Sequence, residues 1–155
     1  MVRKAKQARK TLRGDARALV ESCPGALSRL AARRITQFLD QELAPTGISS
    51  GQLTLMAQIA AAEDDTLGGL AARAGLEQST LSRNLRTLET AGLVEITTVE
   101  NDLRRRAVWL TETGARRLEA AIPLWRKAQA KVGQRIVGLA RRIAEESKRL
   151  VISRD

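Results

Sequence analysis

The hydrophobic period of this chain changes at Gly92, and that change limits the folds open to it. Before Gly92 the apolar residues return every three or four positions, the spacing of one face of a helix. After it, LVEITTVE (93–100) is β-branched and alternating, and RAVWLT (106–111) repeats the pattern across the polar link NDLRR. Beyond Thr111 the helical spacing resumes. One β-hairpin with a basic tip, set among helices, is therefore expected: a mainly α fold with a small β-hairpin. Only Phe38, Trp109 and Trp125 are aromatic, so the core must come from Ala, Leu, Ile and Val among the 43% apolar residues.

Residues 1–20 hold seven basic groups, Arg3, Lys4, Lys6, Arg9, Lys10, Arg13 and Arg17, against Asp15. Their spacing permits a helix without demanding one, and the first dozen residues are expected to be mobile. After Pro24, a good first-turn residue, Leu27, Leu30, Ala31, Ile35, Phe38, Leu39 and Leu43 define an amphipathic helix ended by Pro45 and Gly47. Ser49 or Ser50 caps a second helix carrying Leu53, Met56, Ala57, Ile59 and Ala60, which stops at the acidic break 63–65. The stretch 66–93 reads as two helices meeting at Gly75, where a short turn needs a left-handed backbone, with the small Ala71 allowing close approach. Thr111 and Thr113 are candidate caps for the long final tract, expected to bend or break near Pro123 and to divide around Gly133 or Gly138.

The helix predicted over 78–91 has two unlike faces. At about 100° per residue, Gln78, Ser79, Ser82, Arg83 and Arg86 share an arc of roughly 140°, and Leu81, Leu85 and Leu88 an arc of roughly 60° opposite. One face packs. The other carries short hydroxyls, an amide and guanidinium groups, which reach base edges and phosphates in a major groove. Glu77 precedes the helix, where a negative charge suits the macrodipole. Arg104, Arg105 and Arg106, beside Asp102, put three consecutive cations at the hairpin turn, where an arginine can enter the adjacent minor groove.

Charge agrees with this. The 27 Lys and Arg exceed the 17 Asp and Glu to leave +10, a balance suited to nucleic acid or, as rival, an anionic membrane surface. No apolar run approaches a membrane span, and the basic N-terminus is not followed by an apolar signal segment, so a soluble cytoplasmic protein is expected. The chain has no His and one Cys, which removes His-based acid–base catalysis, Cys/His zinc sites and internal disulfides. No Gly-rich phosphate cradle or metal-ligand cluster is present either, so neither an enzyme nor a cofactor or metal is expected.

Residues 23–132 resemble a MarR-type winged helix–turn–helix regulator. The resemblance rests on LAARAGLEQSTLSRNLRTLETAGLV, on the wing pattern Asp102-x-Arg104-x-Arg106, and on LTETGARRLEAAIPLWRKAQ. It implies a homodimeric transcription factor, usually a repressor, whose hold on double-stranded DNA is altered by a small ligand or by oxidation. Carried over by position, Ser79, Thr80, Ser82, Arg83 and Arg86 face the major groove, Asp102 orients the wing and Arg104 enters the minor groove. Leu103 stands where the family often has Arg, and Arg105 is placed to replace that phosphate contact. The organisation that follows is a basic extension at 1–20, a dimerisation helix at 21–47, a winged helix–turn–helix lobe at 48–112 and C-terminal dimerisation helices at 113–155. Apolar positions beyond what a small lobe can cover, among them Leu118, Ile122, Leu124, Trp125, Val132, Ile136, Val137, Leu139, Ile143, Leu150 and Val151, give the dimer a physical basis. The basic extension can contact phosphates, cover the dimer interface or stay solvated, and the last two are favoured jointly.

Family members often bind phenolic acids or their thioesters in a cleft between the dimer helices and the DNA-binding lobe. Arg34 is the candidate to pair such a small aromatic or anionic effector, with Phe38 and Met56 as an apolar wall; a surface ion pair for Arg34 and plain core for the other two are the competing readings. Cys23 lies near the reactive thiol of the family's peroxide-sensing branch, but that branch uses tyrosine hydroxyls and this chain has no Tyr, so an inert cysteine is the default. The alternative function is a non-specific architectural DNA-binding protein driven by net charge alone.

Overall fold

The computed structural model describes residues 2–62, 66–99 and 102–150, with those at 2–10, 98–99 and 102–106 described by their backbone. The chain packs as two units, Met1–Phe38 and Leu39–Asp155. The first unit contains helix α1 (Val2–Ser22) and most of α2 (Pro24–Leu43), which meet at Cys23. The basic N-terminus, whose spacing permits a helix without demanding one, forms a 21-residue helix. Ala and long straight-chain Lys, Arg and Gln, which dominate its first half, lose little rotamer freedom in a helix and account for it.

The second unit begins with the end of α2 and a 3-10 turn (Ala44–Thr46), closed by Gly47 at φ +70°. Helix α3 (Ser50–Ala60) follows, capped by Ser49: its hydroxyl accepts from the Gln52 N–H while the Gln52 side chain accepts from the Ser49 N–H. Then come α4 (Leu67–Ala74) and α5 (Gln78–Thr90), joined through Gly75 at φ +62° as the sequence requires. The acidic break at 63–65 lies outside the described residues.

Strands β1 (Val94–Val99) and β2 (Asp102–Leu110) form one antiparallel pair, Val94 opposite Leu110 and Ile96 opposite Val108, with an irregularity between Thr98 and Val99. Here the structure corrects the sequence reading. Arg104–Arg106 belong to β2, with Arg106 opposite Thr98, and not to the connecting turn. Backbone pairing does not need the apolar alternation by which a strand is recognised, so the ladder runs past the end of that pattern. Thr66 adds a single bridge to Ala107 on β2.

The last helices are α6 (Glu112–Val132) and α7 (Gln134–Ser147). Thr111 caps α6 by accepting from the Gly114 N–H at 3.0 Å. Of the two expectations for Pro123, a break is not seen, since it lies inside α6; at this exposed position water can take the carbonyl that the missing N–H leaves unpaired. The division falls at Gly133, at φ +81°, while Gly138 lies within α7.

The core of the second unit draws on every element from the end of α2 to α6. Leu43, Met56, Leu70, Leu81, Leu85 and Leu88 are its largest fully buried side chains, joined by Leu53, Ile59, Val94, Val108, Leu118 and Ala121. It is aliphatic, as the composition demanded. Three polar clasps fix the start of this unit: Asp40 Oδ1 accepts from the Ser50 N–H at 2.6 Å, Arg117 Nη1 donates to the Thr46 carbonyl at 2.7 Å, and Lys131 Nζ donates to the Glu42 carboxylate at 2.6 Å.

Candidate nucleic-acid interface

The geometry of α5 follows from the opposition of its faces. Leu81, Leu85 and Leu88 are 2%, 1% and 0% exposed, and they anchor the helix against β1 and α4. Burying each such side chain is worth about 1.5–3 kcal/mol, so the rotation of α5 about its axis is set by its leucines. Everything on the other side is thereby turned outward: Gln78, Ser79, Thr80, Ser82, Arg83 and Arg86 are all exposed. The Gly75 turn sets the entry of the helix, with the Gly75 N–H bonded to the Ala71 and Ala72 carbonyls and the Leu76 N–H to Ala71 at 3.1 Å. Ala71 itself is buried, consistent with the close approach its size permits.

Arg83 and Arg86 border a shallow cleft of about 380 Å³ with Leu67, Ser82, Glu89 and Ile96. Sequence reasoning missed Glu89, although the angular rule that groups Arg83 with Arg86 puts position 89 in the same sector. It is exposed on the last turn and places a carboxylate beside the two arginines. The cationic part of this face is thus limited to the middle of the helix, at Arg83 and Arg86, between an uncharged first turn and the Glu89 carboxylate. A second cleft, of about 360 Å³, lies between the start of α3 and α5 and is bordered by Ser49, Gly51, Gln52, Leu55, Asn84 and Thr87.

The wing adjoins this face through β1, which packs on α5. Asp102, Arg104, Arg105 and Arg106 are on β2 by backbone, and their side chains lie outside the described part of the structure. The other sequence candidates fall elsewhere. Arg34 is exposed and Phe38 half-buried in the first unit, whereas Met56 is completely buried in the core of the second. Cys23 is half-buried at the join of α1 and α2, its N–H bonded to the Leu19 carbonyl and its carbonyl to the Leu27 N–H. Among the described residues no helix is long and apolar enough to cross a membrane, and no cluster of acidic or sulfur ligands could hold a metal ion.

An exposed cationic helix face beside a hairpin, above an aliphatic core, is an arrangement also found in known proteins. The model of the MarR family matches residues 46–105, from the 3-10 turn through α3, α4 and α5 into the wing. The Mycobacterium tuberculosis transcriptional regulator MosR, solved in complex with DNA, is 35% identical over 83% of this chain and 100% of its own, with a TM-score of 0.72. The fold is shared with Staphylococcus aureus MepR in its DNA complex (21% identity, 82% of this chain and 98% of that one, TM-score 0.70). It is shared equally with a mutant MarR from Escherichia coli bound to operator DNA (23% identity, 83% and 96%, TM-score 0.67). No curated protein matches the sequence.

Proposed function

Because the chain belongs to the MarR family of transcriptional regulators, we propose that it binds double-stranded DNA sequence-specifically as a homodimer and acts as a repressor released by a small ligand. The observation that supports this best is the partition of α5, with three leucines locked in the core and Ser79, Thr80, Ser82, Arg83 and Arg86 turned outward with Gln78. A helix fixed in this way enters a major groove with its side chains already aimed, and Arg83 or Arg86 can pair the O6 and N7 of a guanine. In this reading Asp102 orients the wing, Arg104 enters the minor groove and Arg105 and Arg106 meet phosphates.

The homodimer is supported by α7, in which no residue is buried although Ile136, Leu139 and Ile143 recur at helical spacing. A two-fold pair would present two α5 helices about 34 Å apart and select a pseudo-palindromic operator. Arg34, exposed and cationic, suits an anionic effector; Met56 would meet one only after the core had opened. This role belongs to the cytoplasm and needs no catalysis.

Fluorescence anisotropy against tiled DNA from upstream of the protein's own gene, with scrambled duplexes as control at two salt concentrations, tests the reading. A tile preferred by about a thousandfold at both salts is the expected result. Equal, salt-sensitive binding to all tiles would favour a charge-driven architectural role.

A further inference from the structure

Helix α1 lies outside the residues that the family model matches, yet it holds half of the chain's net charge: seven basic and two acidic side chains lie between residues 2 and 22. Their order on the helix is not random. At about 100° per residue, positions 3, 6, 9, 10, 13 and 17, all Lys or Arg, fall within roughly 120°. Positions 5, 8, 12, 16 and 19, all Ala or Leu, fall within roughly 80° on the adjoining sector. By position on the helix, a basic and an apolar sector thus run side by side. Arg13 and Arg17 are exposed, and Arg17 is engaged by Glu21 at 2.8 Å in a solvent-facing pair of the kind that contributes little.

Like charges three and four residues apart repel one another along a helix, and Gly14 near its middle further weakens the helix relative to Ala. A polyanion laid along the stripe removes the repulsion. From position 3 to position 17 the stripe extends about 21 Å at 1.5 Å per residue, over which duplex DNA carries roughly a dozen charges. We propose that α1 is a second DNA-contacting element, which lays its basic stripe on the phosphate backbone and adds affinity without sequence information. The proposal rests on the DNA-binding reading above. An anionic membrane is the less fitting partner: the adjoining sector is mostly alanine, bulky only at Leu12 and Leu19, and has none of the aromatic residues that seat an interfacial helix.

The test uses the full chain and a variant with Lys6, Lys10, Arg13 and Arg17 all changed to Gln, which preserves helix propensity. Both are titrated against the preferred tile and its scrambled duplex between about 50 and 200 mM salt. The slope of log affinity against log salt should fall by about three to four per protomer, at about 0.9 for each phosphate that is no longer neutralised. Affinity should drop on both duplexes, by about a hundredfold more at 50 mM than at 200 mM salt for each protomer engaged, with the ratio between them unchanged. A charge-retaining variant, Arg13→Lys with Arg17→Lys, should keep the slope of the native chain. An unchanged slope in the neutralised variant overturns the proposal, as does an equal loss in the charge-retaining one. So does loss of binding to phosphatidylserine vesicles without a change on DNA. If the native chain prefers no tile, the regulator reading fails, while the slopes on the scrambled duplex still decide the role of α1.

Discussion

Gly114 shows how one residue ties the wing to the helix that follows it. It is buried on the first turn of α6, its N–H held by Thr111, whose hydroxyl donates to the Gly92 carbonyl at 2.6 Å and whose N–H donates to the Leu93 carbonyl at 3.1 Å. A Cβ on Gly114 would run into that Leu93 carbonyl. Both sides of the clash are backbone, so no side chain can swing away to relieve it. Gly114→Ala is expected to destabilise the fold by about 1–3 kcal/mol, outweighing the gain of about 1 kcal/mol in helix propensity. A lower denaturation midpoint at an unchanged slope checks this, and an unshifted midpoint would mean that the backbone relaxes freely. Arg83 presents the opposite case, exposed and without a structural duty in the core. Arg83→Ala should leave stability within about 0.5 kcal/mol and weaken binding to the preferred tile by about 1–3 kcal/mol, relaxing preference at one base pair. A uniform loss on all DNA would make Arg83 a phosphate contact.

Among the elements, α5 is the most legible in the sequence and the wing the least. The leucine spacing fixes which side of α5 is buried, and once that is known the outward set follows by angle alone; the same rule reaches Glu89, one turn beyond the cationic set. The Gly75 turn is readable because left-handed turns are local chemistry, and the Ser49, Thr111 and Gly133 boundaries are readable to within a choice of two residues, with Ser50, Thr113 and Gly138 as the rivals. The start of β2 is not, because strand pairing is decided by the partner strand, and neither Asp102 nor Arg106 advertises its pairing with Val99 or Thr98. The continuous α1 is hidden for a related reason: its helix formers are charged, and a row of cations reads equally well as a solvated tail. For the wing, Arg104→Ala should weaken binding most on sites with A·T-rich flanks, where the narrow minor groove concentrates negative potential. Equal loss on A·T-rich and G·C-rich flanks, measured by anisotropy, would remove Arg104 from the minor groove.

At the scale of the whole molecule, α7 carries an apolar stripe in which no residue is buried. Ile136, Leu139 and Ile143 are 42%, 43% and 53% exposed, and at about 100° per residue they share an arc of roughly 60°. Isolated exposed leucines are ordinary, but three apolar side chains on one stripe form a contiguous patch of the kind that marks an interface. A second copy supplies the same stripe by symmetry, which makes it a self-complementary cover. Ile136→Glu combined with Ile143→Glu would set like charges against each other across a two-fold axis without touching the leucine core. The variant is therefore expected to fold with a lower melting temperature that no longer rises with protein concentration, to sediment at half the native mass at micromolar concentration, and to bind an isolated half-site as the native chain does. On the full operator it should lose more than tenfold, because the second α5 no longer acts at the effective concentration that the dimer provides. A variant that still sediments as a dimer, with native dependence on half-site spacing, would place the two-fold interface on other helices and leave the α7 stripe to a different partner.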